Sequence, residues 1–366
     1  MAYTKTNPAL ASAPDLDAPE MLERIVALAT AKGASDIHFQ MRGKVAEVGF
    51  RLDGLITPVR ELPPELAERV FGRIKYLARL KTYQESLPQD GRIAKEDLKC
   101  ANDLRVATYP TVTGEKIVLR MFQNQVGQEL SELALPSGAQ SAVTAFLRRA
   151  SGLLLLTGPA GSGKTTTIYG CLRQLVEGGG RHIITIEDPV EQIVPGTMQT
   201  EVNEATGLDF ARAARHLLRQ DPQVLIIGEI RDEATAQLAV RAGLTGHLVI
   251  STLHAGSCRG VFERLLTMCP DHSAVASAVE LVLNQRLVRR VCPACYGAGC
   301  EGCLHTGYQG RVPVVEWLRL DDTLREQVRR RELAGLAPAQ TLEASARALV
   351  TAGITNEAEY QRLFGI

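Results

Sequence analysis

The stretch Leu153-Leu-Leu-Leu-Thr-Gly-Pro-Ala-Gly-Ser-Gly-Lys-Thr-Thr-Thr-Ile168 decides how the chain is read. Its leucine run has the length of a buried strand and breaks into a glycine-rich turn ending at Lys164 and Thr165. Gly158, Gly161 and Gly163, with Ser162 between the last two, leave backbone N–H groups bare where larger side chains would keep a polyphosphate away. Lys164 can then reach the β and γ oxygens, and the Thr165 hydroxyl can hold Mg²⁺. Thr166 opens a helix-competent stretch that runs to Leu175. Strand, loop and helix in this order predict a binding site for ATP and Mg²⁺.

Further strands follow, alternating with helical patterns, which predicts a parallel sheet wrapped by helices. His182 to Ile186 ends in Glu187-Asp188-Pro189-Val190-Glu191, Val224 to Ile227 ends in Gly228-Glu229, and Leu248 to Ser251 ends in Thr252-Leu253-His254. In an open α/β sheet ligands lie beyond the carboxyl ends of the strands, so these ends should converge on the nucleotide. Glu229 is placed to hold the Mg²⁺ shell. Glu187, Asp188 and Glu191 each offer a carboxylate to orient and deprotonate the attacking water, and sequence alone does not choose among them. His254 is placed to sense the γ-phosphate, whereas His247 carries a weaker signal.

The 366 residues allow two or three domains, and a hydrophobic content of 45% is ample for a core. The 41 basic and 41 acidic residues cancel, so composition supplies no general field for nucleic acid or anionic lipid. No apolar run reaches the roughly 18–20 residues of a membrane span, and Met1 to Leu16 lacks the core of a signal peptide. A cytosolic protein is expected.

Residues 1–16 read as a disordered tail. Asp17-Ala-Pro-Glu20 resembles a capping box, and Met21, Leu22, Ile25, Leu28 and Ala29 recur at helical spacing up to Gly33. Strands are expected around Ile37 and Phe39, from Ala46 to Leu52, at Leu104 and Val106, and from Ile117 to Leu119. A second helix is expected from about Pro64 to Leu80. Residues 17–123 thus predict a small α+β domain, 124–140 a linker, and 141–366 a nucleotide-binding domain closed by helices between Leu324 and Phe364.

Of eight cysteines, Cys292, Cys295, Cys300 and Cys303 form a C-x₂-C-x₄-C-x₂-C cluster. Two such pairs suit a closed, structural Zn²⁺ site. The segment also fits a C-x-x-C-x-G-x-G unit of chaperone zinc domains, but those need several repeats and there is one.

Together, Gly158-Pro-Ala-Gly-Ser-Gly-Lys-Thr-Thr166, Thr185-Ile-Glu-Asp-Pro-Val-Glu191, Leu218-Arg-Gln-Asp-Pro222, Gly228-Glu-Ile-Arg-Asp232 and Thr245-Gly-His-Leu-Val-Ile-Ser-Thr-Leu-His254 resemble the Walker A, Asp box, Walker B and His box of the type II secretion and type IV pilus ATPase family. The resemblance extends to Ala34-Ser-Asp-Ile-His38, Pro88-Gln-Asp-Gly-Arg92, Thr113-Gly-Glu115 and Gly307-Tyr-Gln-Gly-Arg311. It implies a PAS-like N-terminal domain and a RecA-like ATPase domain, with ATP between them, in a homo-hexameric ring. Arg105, Arg120, Arg215 and Arg219 match family arginines expected at the γ-phosphate or the subunit boundary. Glu191 becomes the first choice for the catalytic base and Glu187 the second. The tetracysteine element favours an assembly or secretion motor over a retraction motor. About 16 residues precede the first helix, so a short form without the family's extra N-terminal domain is expected. The implied activity is ATP hydrolysis coupled, through an inner-membrane platform protein, to pilin or pseudopilin assembly or protein export, with membranes touched only through partners. A RecA-like nucleic-acid motor is the alternative from another class, opposed by the neutral charge. A weakly hydrolysing nucleotide-binding regulator also remains open.

Overall fold

The computed structural model describes residues 17–100, 103–121 and 128–365. The expected tail 1–16 and the start of the expected linker, 124–127, lie outside them. The chain divides into two compact units, residues 1–126 with 289–310, and residues 127–288 with 311–366.

In the first unit α1 (Ala18–Ala31) begins where the Asp17 carboxylate accepts the Glu20 N–H at 2.9 Å. Its buried stripe of Met21, Leu22, Ile25, Val26 and Ala29 follows the helical period read from the sequence. Strands β1 (Asp36–Arg42), β2 (Val45–Leu52) and β3 (Leu55–Leu62) precede α2 (Pro64–Leu77), and β4 (Gln89–Ile93), β5 (Leu104–Thr111) and β6 (Gly114–Met121) follow. They form one antiparallel sheet in the order β3-β2-β1-β6-β5-β4. One core joins sheet and helices, with Phe39 edge-on to Phe71 at 6.2 Å. Within it Lys75 and Glu115 form a buried ion pair at 2.7 Å, and Lys75 also donates to the Gln84 carbonyl. Burial still pushes the Glu115 carboxyl up, against the pull of Lys75.

The second unit begins inside the expected linker. Leu130, Leu133 and Leu135 are core residues, and α3 (Ser137–Leu147) follows at once, so residues 128–140 are packed structure. Then come β7 (Gly152–Thr157), α4 (Lys164–Glu177), β8 (Ile183–Glu187), β9 (Met198–Glu201), α5 (Phe210–Leu217), β10 (Val224–Ile227), α6 (Glu233–Leu244), β11 (Leu248–Thr252), α7 (Cys258–Met268) and α8 (His272–Ala278). The long strands β12 (Val279–Val291) and β13 (Tyr308–Arg319) precede α9 (Asp322–Arg330), α10 (Leu342–Thr351) and α11 (Glu357–Phe364). The sheet order is β13-β12-β7-β11-β10-β8-β9, parallel from β12 to β9.

The leucine run is apolar throughout because β7 is covered on both faces. Leu153 and Leu155 enter one core, Leu154 and Leu156 the other, as period-two geometry requires.

The cysteine segment groups with the first unit, not with the nucleotide-binding unit to which the sequence assigned it. The reasons are local. The Lys32 ammonium donates to the carbonyls of Glu301 and Gly302 at 3.1 and 2.9 Å, the Gly310 N–H donates to Asp53 at 3.0 Å, and Leu304 packs on the first core.

Candidate functional site

Lys164 is the first residue of α4, directly after the loop. Gly158, Gly161 and Gly163 have φ of 140°, 72° and 89°, conformations that side chains disfavour. Packing adds a second constraint at two of them. A Cβ on Gly158 would lie 2.3 Å from the Gln285 carbonyl oxygen, and one on Gly163 would lie 2.7 Å from the Gln285 side-chain nitrogen. The Lys164 ammonium donates to the carbonyls of Gly158 and Pro159 at 2.8 and 2.9 Å. Desolvation lowers its pKa, the charge of Arg286 adds to that effect, and Glu229 opposes it. Thr165 and Thr166 occupy the first turn of α4. Among the described residues the buried Ser162 hydroxyl has no hydrogen-bond partner, the kind of donor that a phosphate oxygen satisfies.

The three strand ends meet at one cleft. Lys164, Thr165, Glu187, Asp188, Glu191, Glu229, Arg231 and His254 line it around an apolar floor that includes Ile168, Leu172, Phe210 and Ile226. Glu187 is committed to neighbours: it accepts from Thr185 at 2.5 Å, from the Gln199 amide at 2.9 Å and from the Tyr169 hydroxyl. Burial and then the Glu187 contact push the Tyr169 hydroxyl pKa up, so it stays a donor. Glu191 opens to solvent at the mouth of the cleft. Partial burial of its carboxyl, then the charge of Glu187, pushes that group above the ordinary range.

Glu229 accepts from Arg231 at 2.9 Å and faces the His254 Nε2 at 2.9 Å, and Arg231 also reaches Asp188 at 3.3 Å. Arg231 lies within Gly228-Glu-Ile-Arg-Asp232, and only the fold brings it between Glu229 and Asp188. Gln199 and Tyr169 were missed because only folding brings β9 and α4 to Glu187. His247 faces the Ala242 carbonyl at 3.2 Å, outside the cleft.

Arg215 and Arg219 lie exposed on α5 and in the turn after it, and do not line the cleft. In the first unit Arg105 and Arg120 are paired across β5 and β6, and Arg120 binds the buried Asp36 at 3.0 Å. Asp36 is held below the ordinary carboxylate range; its burial acts the other way, but hydrogen bonds from Ser35 and Arg120 and the charges of Arg120 and Arg51 outweigh it.

The four sulfur atoms of Cys292, Cys295, Cys300 and Cys303 all lie within 4.8 Å of one another. Cys303 lies 3.8 Å from Cys295 and 3.7 Å from Cys300, close to the edge of about 3.8 Å expected for a tetrahedron with Zn–S bonds of about 2.3 Å. Backbone N–H groups of Cys300 and Gly307 point at the Cys303 sulfur at 3.3 Å, as in thiolate sites. Among the described residues no helix is long and apolar enough to cross a membrane.

The model of the family described as type II/IV secretion system protein matches residues 15–362. A type II secretion system protein E of Aeromonas hydrophila is 37% identical over 342 residues, covering 86% of this chain and 68% of that protein. A type II secretion system ATPase E of Vibrio cholerae is 38% identical over 340 residues, covering 85% and 67%. Among solved structures, the pilus retraction motor PilT with bound ADP is 27% identical with a TM-score of 0.65, over 95% of this chain and 97% of that one. The sequence reading of the family thus stands: the chain belongs to the type II/IV secretion system protein family and is a secretion- or pilus-motor ATPase.

Proposed function

We propose that this chain hydrolyses ATP at the cleft between the phosphate loop and the ends of β8, β10 and β11, and works as a hexameric motor for pilin or pseudopilin assembly or protein export. The observation that carries the reading is the meeting of Lys164, Glu191, Glu229 and His254 at one cleft. Gly158, Gly161, Ser162, Gly163, Thr165 and Thr166 would cradle the phosphates. Thr165 and Glu229 would hold Mg²⁺, which supplies charge neutralisation when bound. Glu191 accepts the proton of the attacking water, Glu187 positions it, and His254 reads the γ-phosphate. Arg105, Arg120, Arg215 and Arg219 supply cations to the γ-phosphate or a subunit boundary. The PAS-like and RecA-like assignments of the two units, the cytoplasmic placement and the inner-membrane platform partner belong to the same reading.

A nucleic-acid motor would behave differently. ATP turnover is expected to be unchanged by single- or double-stranded DNA or RNA. A many-fold stimulation that collapses with added salt would replace the secretion reading with the nucleic-acid one.

The four cysteines would hold one structural Zn²⁺, fitting the sulfur spacing above. Chelation, or Cys292→Ser with Cys295→Ser, is expected to raise hydrogen exchange around residues 292–307 while ATP still binds. Elemental analysis of reduced, purified protein should find about one zinc per chain. Absence of zinc would overturn the assignment.

A further inference from the structure

We propose that Gln285 is a positioning residue of the ATPase site, which sets the shape of the phosphate loop from the neighbouring strand. The proposal rests on the reading of the Lys164 loop as the nucleotide site. Strand β12 runs parallel to β7 with Asn284 opposite Thr157, the last residue before the loop. The chain of β7 turns away there, but β12 continues to Val291. Its next residue, Gln285, therefore lies against the glycine loop itself.

Both ends of the loop touch it. The Gln285 backbone carbonyl occupies the space where Gly158 would carry a Cβ, and its side-chain nitrogen occupies the corresponding space at Gly163. The side-chain oxygen accepts the Thr167 hydroxyl at 3.0 Å, and that hydroxyl also reaches the Gly163 carbonyl at 3.2 Å. Gln285 is only 2% exposed, so these contacts are made away from water. The neighbouring Asn284 amide donates to the Gly256 carbonyl at 3.0 Å, which fixes β12 on its other side.

A glycine loop has many accessible conformations, and only one aims its N–H groups at a phosphate. An affinity is reduced by the fraction of molecules already in the binding shape. Gln285 raises that fraction without touching the reacting atoms, so its removal should weaken nucleotide binding more than the chemical step.

The test is Gln285→Ala, with Gln285→Met as a variant that keeps the volume and loses the hydrogen bond from Thr167. For each, the ADP Kd, the ATP KM, kcat at saturating ATP and Tm are measured. Both variants are expected to raise Kd and KM about tenfold or more, with kcat within about threefold of wild type. Thr167→Val should act in the same direction, and its effect should not add to that of Gln285→Ala, because the two share one hydrogen bond. An unchanged Kd and KM in folded Gln285→Met, or a loss confined to kcat, would overturn the proposal. Lys164→Ala run in parallel separates this failure from failure of the site: if Lys164→Ala also turns over normally, the loop is not the nucleotide site at all.

Discussion

Lys164→Ala is expected to lower ATP turnover by at least about 10²–10³-fold, the loss typical of one preorganised charge at a transition state. Among the described residues the side chain belongs to no hydrophobic core whose loss would explain such an effect through unfolding. Among the described residues its ammonium donates to the carbonyls of Gly158 and Pro159 at the loop, and the residue lines the cleft. The variant should therefore melt close to wild type while phosphate release falls to background. Turnover near the wild-type rate in a folded variant would remove the phosphate loop from the mechanism.

Glu191→Gln is the second large effect, a loss of about 10²–10⁴-fold in turnover with nucleotide binding kept. Two carboxylates compete for the role of base, and their surroundings differ. Glu187 is already an acceptor for Thr185, Gln199 and Tyr169. Glu191 is desolvated beside that charge, which raises its proton affinity. A base must be deprotonated to act, so activity should fall as the pH drops through this raised pKa, above the ordinary carboxylate range. That acid limb should be carried by Glu191. If Glu187→Gln abolishes turnover and Glu191→Gln does not, the roles are reversed.

The strands β7, β10 and β11 of the second unit were legible because they are buried and short. Leu153 to Leu156, Val224 to Ile227 and Leu248 to Ser251 read as strands and are strands. The motifs at their carboxyl ends fell together in one cleft because parallel strands place those ends on one side of the sheet. What escaped the reading was the periphery and the long interior strand β12. Strands β3 and β4 bound one sheet, and β13 and β9 the other. Leu55–Leu62 is interrupted by Pro58, Gln89–Ile93 is mostly polar, and Met198–Glu201 has four residues. Long-range partners were equally hidden. Gln285 lies 118 residues from Thr167, and no local pattern links them. The linker was misplaced because Leu130, Leu133 and Leu135 are spaced too irregularly to signal either period, yet each finds the core.

Those same edge strands govern how copies of the chain behave when crowded. A sheet edge is a template on which a foreign strand can grow, and proline, charge and brevity are the usual ways to spoil it. Pro58 removes a donor from β3 and Pro313 one from β13, Asp90 and Arg92 put charge along β4, and β9 ends after four residues at Glu201. On β13 the segment at Ala339 and Gln340 also covers part of the margin, bonding to the Trp317 backbone. The residues that disguise these segments as loops are thus the ones that make the sheet edges poor templates for a foreign strand.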